Sequence, residues 1–403
     1  MGVTSLLLSS DRLRRGGTTN GGYREWTVNF DLSEDEEMLK ALADRFVADR
    51  YDHDSRRAFL AEPCGFSSSN WQLLGELGLI AAPFAEDLGG LDLDATGVAI
   101  VFEALGRGLV VEPLAESVMM AGRLFAMTAR EPLLNSWIEA VVSGEKRLAL
   151  AALDERARDG LCWLETCAVA KGDSWRLSGT KPFCAAGGGA DAFIVPARIH
   201  GEPGDRTGVA LFLIPATQPG ASLRPWHMAD GSVAVALTLE DVMISDDHKL
   251  DRAGDDGLAA IDAANELADL ARSAEALGIM ERLFADTIDY LRTRSQFGAA
   301  IGSFQAIQHR MVAQYAVIEQ ARALLNLALV SSESAEFGKA VQGARAFLAR
   351  TSLELGHEMI QFHGGMGITD ELAIGAGHKR LLVLSRWPES PQATLDRYAG
   401  VLA

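Results

Sequence analysis

The sequence has little cysteine, no long apolar run and no excess of basic residues. Its four cysteines, Cys64, Cys162, Cys167 and Cys184, are scattered over 403 residues and form no CxxC pair. That usage is typical of a reduced cytoplasmic compartment and disfavours a disulfide framework. No run of about 18 apolar residues free of charge is present, so the sequence predicts no membrane span.

The charge balance disfavours nucleic acid as a partner. The 37 Lys and Arg residues stand against 55 Asp and Glu, a formal net charge of −18. Binding to nucleic acid needs a clustered basic excess that neutralises phosphates. An acidic chain still holds a phosphate ligand where it has a local basic pocket or a helix N-terminus. At 403 residues we expect two or three packed units.

Residues 1–28 differ in composition from the rest of the chain. They are rich in Gly, Ser, Thr and Arg, without a useful periodicity. The run Leu6-Leu7-Leu8 is too short for a signal-peptide core, and arginines follow it instead of preceding it. The myristoylation pattern requires Ser or Thr at position six, where this chain has Leu6. The segment therefore predicts a disordered extension, with a targeting signal as the weaker alternative.

Residues 29–146 read as an N-terminal helical domain. Ser33 with Glu36 is a capping box that opens a helix through about Arg50. Further helices are predicted over 71–79 and 95–109, one or two within 109–129, and one from Pro132 toward Val142.

Residues 147–250 read as a β domain. Val233, Val235, Leu237 and Leu239 alternate with small or polar residues, the pattern of a half-buried strand. Shorter apolar runs at 193–195 and 210–214 are bounded by Gly and Pro. These strands and turns predict an antiparallel sandwich or barrel.

Residues 251–403 return to a helical pattern. Apolar residues recur there at steps of three, four or seven, and the pattern breaks at 298–303, 331–336 and 364–365. Long helices with short breaks predict an antiparallel four-helix bundle, so the fold class is α+β.

The last forty or so residues point most clearly to a ligand. Gly364 and Gly365 follow a helical run, and two adjacent glycines favour positive φ and close approach by another group. Ser390 and Pro391 are an N-cap and an N1 proline that begin a final helix. A break between helices, followed by a second break that carries Glu389, indicates a cofactor site.

Three motifs and the domain order resemble the acyl-CoA dehydrogenase family over residues 30–403. The motifs are RTRSQFGAAIGSFQAIQHRMV (292–312), Gln361-x-x-Gly364-Gly365-x-Gly367 and, more weakly, WRLSGTKPFCAAGGGADAFIVPAR (175–198). The tail HGGMGITDELAIG…KR is similar to the small subunits of two-component members, such as pimeloyl-CoA dehydrogenase.

The resemblance implies FAD between the β part of one subunit and the helical bundle of a neighbour. Arg294 and Gln296 would face the diphosphate and adenosine, since a guanidinium donates two hydrogen bonds to neighbouring oxygens. The alternative is that they only end a helix. The residues carried over to the cofactor are Arg294, Gln296, Phe297, Phe304, Gln305, Gln361, Gly364, Gly365, Ser390 and Gln392, with Asp154, Phe183 and Ala185 on the β side.

The β side departs from the family pattern at two places. The family's Thr-Glu-Pro followed by Gly and Ser is replaced by the segment 154–158, Asp-Glu-Arg-Ala-Arg. Its Trp/Phe-Ile-Thr element becomes Phe183-Cys184-Ala185, which loses the hydroxyl that meets the flavin. We expect Phe183 to pack on the ring system, with changed flavin affinity or redox tuning.

The resemblance also implies the chemistry: proton removal from the carbon α to a thioester, with hydride leaving the β carbon for flavin N5. A carboxylate base and donors to the thioester oxygen are required. Ungapped alignment puts Pro388 at the base position, and proline has neither carboxylate nor N–H. In that register Ser390 and Gln392 align with the family's Thr-x-Gln motif, which contacts FAD. A shift by one residue brings in Glu389, which could instead simply favour the following helix N-terminus.

Other acids are weaker candidates for the base. Some members take it from the first long helix of the bundle, where this chain has Ala268, with Glu266 and Asp269 nearby but out of register. His357 and His363 are six apart, a spacing that does not place both on one helix face, so no metal site is predicted.

Three hypotheses follow. The first is an FAD-dependent acyl-CoA dehydrogenase of fatty acid or lipid metabolism that forms a 2,3-enoyl thioester. Its partners would be an acyl-CoA, an electron-transfer flavoprotein or similar acceptor, and further subunits in a homo- or hetero-oligomer, a dimer of dimers. The second is a catalytically incomplete partner subunit whose companion chain carries the Glu base. The third is a flavin-free scaffold or a binder of another anion. The acyl group stays open.

Overall fold

The computed structural model describes residues 13–15, 26–28, 32–157, 163–254 and 256–400. Of the predicted extension it describes only β1 (Leu13–Arg15) and β2 (Trp26–Val28), which pair antiparallel; the rest lies outside the described residues. By contacts the chain divides into a first unit (Met1–Ser55, Asp94–Val110 and Asp269–Ala403) and a second unit (Arg56–Leu93 and Val111–Ala268). Both units draw on separate segments of the chain, so the domain limits set out above stay a prediction.

Helix α1 (Glu34–Arg50) begins with the capping box that the sequence predicted. The Ser33 hydroxyl accepts from the Glu36 backbone N–H, and the Glu36 carboxylate accepts from the Ser33 backbone N–H. The helix packs against α4 (Ala95–Gly108) within the first unit. Gly108 allows the close approach, because a Cβ there would lie 2.6 Å from a methyl of Val47.

The second unit contains short helices that the sequence predicted only in part. Helix α3 (Ser68–Glu76) begins three residues before the predicted Trp71, because Ser67 is its N-cap. The apolar segment after residue 109 forms a π-helical stretch, Ala115–Gly122, followed by α5 (Arg123–Thr128), and α6 spans Leu133–Val142. Helix α2 (His53–Leu60), which begins in the first unit, was not predicted, since its polar sequence buries only Arg56.

The second unit also contains a seven-stranded sheet. Its strands are β3 (Leu148–Leu150), β4 (Cys167–Ala170), β5 (Ser174–Cys184), β6 (Ala192–Arg198), β7 (Val209–Pro215), β8 (Ala221–His227) and β9 (Val233–Ser245). The order is β3-β6-β4-β5-β9-β8, with β7 pairing β6. The sheet is mixed and not purely antiparallel, because β3 and β4 both run parallel to β6. Strands that run in the same direction, such as β3 and β4, cannot be joined by a tight turn and need a longer connection.

The half-buried strand predicted along β9 is only partly correct, because Ala234 and Ala236, between the apolar residues, are buried as well. Val235, Leu237 and Leu239 lie in the buried core cluster of the sheet, together with Leu177 and Cys184 of β5. Residues between them on β9 therefore face the other side of the sheet.

The first unit contains most of the helical bundle. Helix α7 (Gly257–Thr293) reaches into it from residue 269, and α8 (Gln305–Val330), α9 (Phe337–His363), α10 (Ala373–Arg386) and α11 (Pro391–Tyr398) follow. Helix α9 packs against α8, α10 and α11. A hairpin of β10 (Ser295–Gln296) and β11 (Ala299–Ala300) separates α7 from α8. The predicted order of helices, sheet and helical bundle is confirmed. Among the helices described, none combines the length and apolarity that crossing a membrane requires.

Candidate functional site

The glycine turn after α9 leaves open space beside its backbone. Gly364 ends the helix with φ +59° and ψ −135°, a conformation that favours glycine. A Cβ added at Gly364 or Gly365 would meet no heavy atom within 4 Å. Gly367 is different, because a Cβ there would lie 2.6 Å from the Ile360 carbonyl oxygen. Packing within the chain therefore explains Gly367, whereas Gly364 and Gly365 leave room for another molecule against the main chain.

An aromatic pair fixes the start of this turn. The Tyr290 ring on α7 stacks on His363 with centroids 4.3 Å apart. The Tyr290 hydroxyl donates to the His363 carbonyl oxygen at 3.4 Å. His363 Nδ1 lies 2.9 Å from the Met359 carbonyl oxygen. Gln361, two residues before His363, is exposed. No local sequence pattern indicates Tyr290, because its partner is 73 residues away.

The β10–β11 hairpin presents the predicted arginine motif to solvent. Phe297 lies at its tip with φ +53° and is 91% exposed, and Gly298 follows at φ +82°. A bulky residue in the left-handed region is strained, and such strain clusters at functional sites. Phe304 contacts Phe297 edge-on at 6.3 Å. Arg294, Gln296 and Gln305 are exposed, and the Arg294 guanidinium forms no ion pair within the described part of the chain.

Glu389 is held by an arginine eight residues later. Arg397 Nε lies 3.1 Å from one carboxylate oxygen of Glu389, and Arg397 Nη2 donates to the other. The Glu389 side chain is 15% exposed. Ser390, and not Glu389, caps α11, by accepting from the Ala393 backbone N–H. Gln392 donates to Asp396 along the same helix, at 2.7 Å. Ser390 and Gln392, both predicted from the sequence as cofactor contacts, thus use their side chains in hydrogen bonds to α11 itself.

A buried arginine holds the segment that leads to Glu389. Arg345 on α9 donates to the carbonyl oxygens of Leu384 and, at 2.6 Å, of Trp387. Its Nε lies 3.7 Å from the Asp269 carboxylate. These contacts fix the end of α10, and with it the position at which the chain turns into Glu389.

The acids on α7 that could serve as alternative bases differ in how they are engaged. Asp269 is paired with Arg272 at 2.8 Å as well as with Arg345. Ala268 is fully buried. Glu266 lies on the exposed side of α7, where burial and then neighbouring Asp262 raise the pKa of its carboxyl group.

In the second unit, Asp154 forms a buried ion pair. Its carboxylate lies 2.5 Å from Lys181 Nζ, and it also accepts from the Thr166 N–H and hydroxyl and from the Glu165 N–H. Burial lowers the pKa of Lys181 to about 8, although Asp154 acts in the opposite direction. Because the carboxylate is engaged in this way, a cofactor contact at position 154 would use the main chain.

Phe183 and Cys184 lie on opposite faces of the sheet. The Cys184 thiol is in the buried core, where it donates to the Leu150 carbonyl oxygen at 3.2 Å and burial raises its pKa. Phe183 is half-buried on the other face, with its ring centroid 5.7 Å from that of Trp226. Ala185 is buried at the end of the strand. Phe183 is therefore the predicted β-side residue with an accessible ring, and sequence reasoning missed Trp226.

Arg147 supports the glycine-rich loop that follows Ala185. The buried guanidinium donates to the Ala186 carbonyl oxygen at 3.4 Å and to that of Gly188. It packs over the rings of Phe66 and Trp71, at 4.6 and 5.5 Å from their centroids. Burial lowers the pKa of Arg147 to about 10. No local sequence pattern indicates this role of Arg147, because its hydrogen-bond partners are 39 residues away or more.

The half-buried imidazole of His378 predicts an acid-sensitive bundle. Its ring lies 4.6 Å from that of His357, and within the described chain its buried Nδ1 has no hydrogen-bond partner. Burial, and then His357, lower the pKa of His378 from 6.5 to about 4. The unfolded chain thus binds a proton that the folded chain does not, so this group's contribution to stability is lost as pH falls from about 6.5 to about 4.

We expect His378→Gln to unfold in urea with a smaller loss of stability between pH 7 and pH 5 than the wild type. His309→Gln, at an exposed position of α8, is the matched control and should follow the wild type. Equal acid sensitivity in all three proteins would contradict this role of His378.

Three family models match the chain in order. They are described as "Acyl-CoA dehydrogenase, N-terminal domain" over residues 33–145, "middle domain" over 149–242 and "C-terminal domain" over 255–387.

Curated relatives match over most of the chain. "Acyl-CoA dehydrogenase FadE27" of Mycobacterium tuberculosis is 28% identical over 350 residues, which cover 85% of this chain and 90% of the relative. "Short-chain specific acyl-CoA dehydrogenase, mitochondrial" of Bos taurus is 27% identical, with 92% and 91% covered.

Solved structures match the fold over nearly the whole chain. The "Tcur3481-Tcur3483 steroid ACAD" has a TM-score of 0.80 at 27% identity, covering 91% of this chain and 97% of that one. The "ChsE4-ChsE5 complex from Mycobacterium tuberculosis" has a TM-score of 0.81 at 25% identity, covering 93% and 98%. The "FAD complex of PigA", at 22% identity and a TM-score of 0.84, covers 93% and 100% and supports the fold alone.

Proposed function

The chain belongs to the acyl-CoA dehydrogenase family, and we propose from this membership that it oxidises an acyl thioester between its α and β carbons with FAD as cofactor. The observation that carries the proposal is the match of all three family domains, in order, over residues 33–387. Three domains matched in family order support the activity more strongly than any single motif does, because together they span nearly the whole chain.

The residues of the first unit fit a dinucleotide. The open space beside Gly364 and Gly365 allows a ligand to lie against the main chain. The guanidinium of Arg294, which has no ion pair among the described residues, suits the diphosphate, since its planar fork donates to two neighbouring oxygens. Gln296, Phe297, Phe304 and Gln305 follow on the same exposed break and would contact the adenosine end. Gln361, Ser390 and Gln392 stay candidates for contacts near the glycine turn.

On the β side, Phe183 offers the accessible ring surface, and Asp154 and Ala185 would contribute main-chain contacts. FAD, when bound, accepts the hydride that leaves the substrate β carbon. The chain itself must hold the thioester, exclude water and remove the α proton.

We propose Glu389 as the base that removes the α proton. Each of its carboxylate oxygens accepts one hydrogen bond from Arg397, which orients the carboxylate and leaves a lone pair on each oxygen that can accept the proton. The hydrogen bond from Arg345 to the Trp387 carbonyl oxygen would keep the backbone before Glu389 in place while the Glu389 side chain moves. The backbone N–H of Glu389 would serve as a donor to the thioester oxygen.

Partners are proposed on the same family basis. The substrate would be an acyl-CoA, and an electron-transfer flavoprotein or similar acceptor would reoxidise the flavin. Further subunits would complete a tetramer, either homo- or hetero-oligomeric. Few cysteines, without a CxxC pair, favour a cytoplasmic location.

A second candidate is a subunit that lacks a working base of its own. Pro388 stands at the base position in ungapped register, and Glu389 is paired on both oxygens. Two of the matching structures, at 27% and 25% identity, carry the names of two different chains. The tail's similarity to small subunits agrees with this candidate, in which the companion chain supplies the Glu.

The deciding experiment is a visible absorption spectrum of the chain purified alone, recorded before and after anaerobic addition of a panel of acyl-CoA thioesters. A yellow protein that bleaches establishes both FAD and a working base in this chain. If the chain turns yellow and bleaches only after co-expression with a second dehydrogenase chain, the second candidate is correct. A chain that binds no flavin in either preparation contradicts both.

The variant Gly365→Leu tests the cofactor position. We expect it to bind FAD at least about tenfold more weakly than the wild type, because the new side chain occupies space proposed for the cofactor. Its folding should change little, since the site is open within the chain. Gly204→Leu is the control, because Gly204 also lies outside the positive-φ region and a Cβ there would meet only the Trp163 ring, at 4.0 Å. Flavin fluorescence titration measures both, and equal affinity in the two variants would contradict the assignment.

A further inference from the structure

The edge of the sheet carries two residues that no motif of the sequence singled out. On β8, Trp226 pairs with Ala234 of β9, and Arg224 pairs with Ala236. Directly paired residues of antiparallel strands point to the same face. Because Val235 lies in the sheet core, Arg224 and Trp226 lie on the face opposite the core.

Phe183 shares this face, and the two aromatic rings meet across β9. Phe183 precedes the core residue Cys184, so it points away from the core. The ring centroids of Phe183 and Trp226 are 5.7 Å apart at an interplanar angle of 54°. The strand between them presents only the methyl groups of Ala234 and Ala236, which leaves room for this contact. Trp226 is nevertheless 41% exposed.

Arg224 adds an unpaired cation to the same face. It is exposed and forms no ion pair with any described residue, in a chain whose net charge is −18. On the neighbouring strand β5, by contrast, Arg176 lies 3.7 Å from Asp241. A guanidinium beside exposed aromatic rings binds flat groups that carry negative charge, through stacking and hydrogen bonds together.

We propose that Phe183, Arg224 and Trp226, the aromatic face, bind the flavin ring, with Trp226 holding Phe183 and Arg224 favouring the reduced, anionic form. The inference rests on the proposed function and extends it to two residues outside the family motifs. It adds a polar group on a face where Ala185 has no hydroxyl to offer a ligand.

Trp226→Ala tests the aromatic part. We expect FAD to bind roughly tenfold more weakly, because the Phe183 ring loses its neighbour and the ligand loses contact area. Trp163→Ala is the matched control, since Trp163 has the same 41% exposure at another place in the second unit. Trp226→Leu, which keeps an apolar side chain, should weaken binding less and guards against a folding defect in the alanine variant.

Arg224→Gln tests the charge. We expect the flavin reduction potential to become more negative, since the reduced form loses a favourable cation and its affinity falls more than that of the oxidised form. Arg252→Gln, at another exposed arginine, should leave the potential unchanged.

The outcomes distinguish failure of the proposed FAD-dependent function from failure of the aromatic face alone. A wild-type preparation, alone or with its companion chain, that binds no FAD overturns the proposed function. Wild-type FAD binding with unchanged affinity in Trp226→Ala and unchanged potential in Arg224→Gln overturns the aromatic face alone. Weaker thioester binding with unaltered FAD affinity also overturns it, because the face would then contact the substrate.

Discussion

The variant Glu389→Gln is expected to turn over its thioester about 1,000-fold more slowly than the wild type, because the amide cannot accept the α proton. Substrate binding and flavin content should be kept, since the amide preserves the size of the side chain and one hydrogen bond to Arg397. Single-turnover bleaching of the flavin measures the chemical step directly, and the oxidised spectrum before mixing checks flavin content.

The matched variant Arg397→Gln separates catalysis from structure. It breaks the same ion pair but leaves the carboxylate in place, so we expect most of the wild-type turnover to remain. Both variants should lose similar stability, about 1 kcal/mol or less, because the pair is partly exposed. If Glu389→Gln and Arg397→Gln are equally active in a preparation that turns over, Glu389 only fixes α11. The base would then lie on a companion chain.

Local signals in the sequence were read correctly because their physics is local. The Ser33–Glu36 capping box and the Ser390 cap each depend on residues three positions apart, and both are present. The apolar residues Val235, Leu237 and Leu239 of β9 share the core face, as the period of two predicted, but the pattern did not reveal that the alanines between them are buried too. Helix α2 was missed because its polar composition gives no apolar stripe to detect.

The candidate site could be predicted only as separate motifs. The contact of Phe183 with Trp226 depends on strand pairing across β9, and that of Arg345 with the Trp387 carbonyl oxygen on packing of α9 against α10. Neither contact can be predicted from the spacing of residues in the sequence. The motif residues stand out for another reason: glycines and an exposed Phe297 are poorly explained by packing within the chain.

Lys181→Met is expected to lower the free energy of unfolding by about 3 to 5 kcal/mol, the usual effect of removing one partner of a buried ion pair. Lys181 is fully buried, and its ammonium group lies 2.5 Å from Asp154. Without it, Asp154 keeps its hydrogen bonds from Thr166 and Glu165 but carries an uncompensated charge. Lys171→Met, at an exposed turn, is the control and should change stability by less than about 0.5 kcal/mol.

The double variant Lys181→Met, Asp154→Asn distinguishes lost charge balance from lost packing. Neutralising both partners removes the stranded charge while the asparagine oxygen still accepts from Thr166, so we expect it to recover part of the stability. The pH dependence gives an independent check. The pKa of Lys181 falls from 10.5 to about 8 on folding, so the folded chain loses this proton first. Stability of the wild type should therefore rise relative to Lys181→Met between these pH values. A difference that stays constant across that range would mean that the buried lysine keeps an ordinary pKa, and that Asp154 alone compensates for its burial.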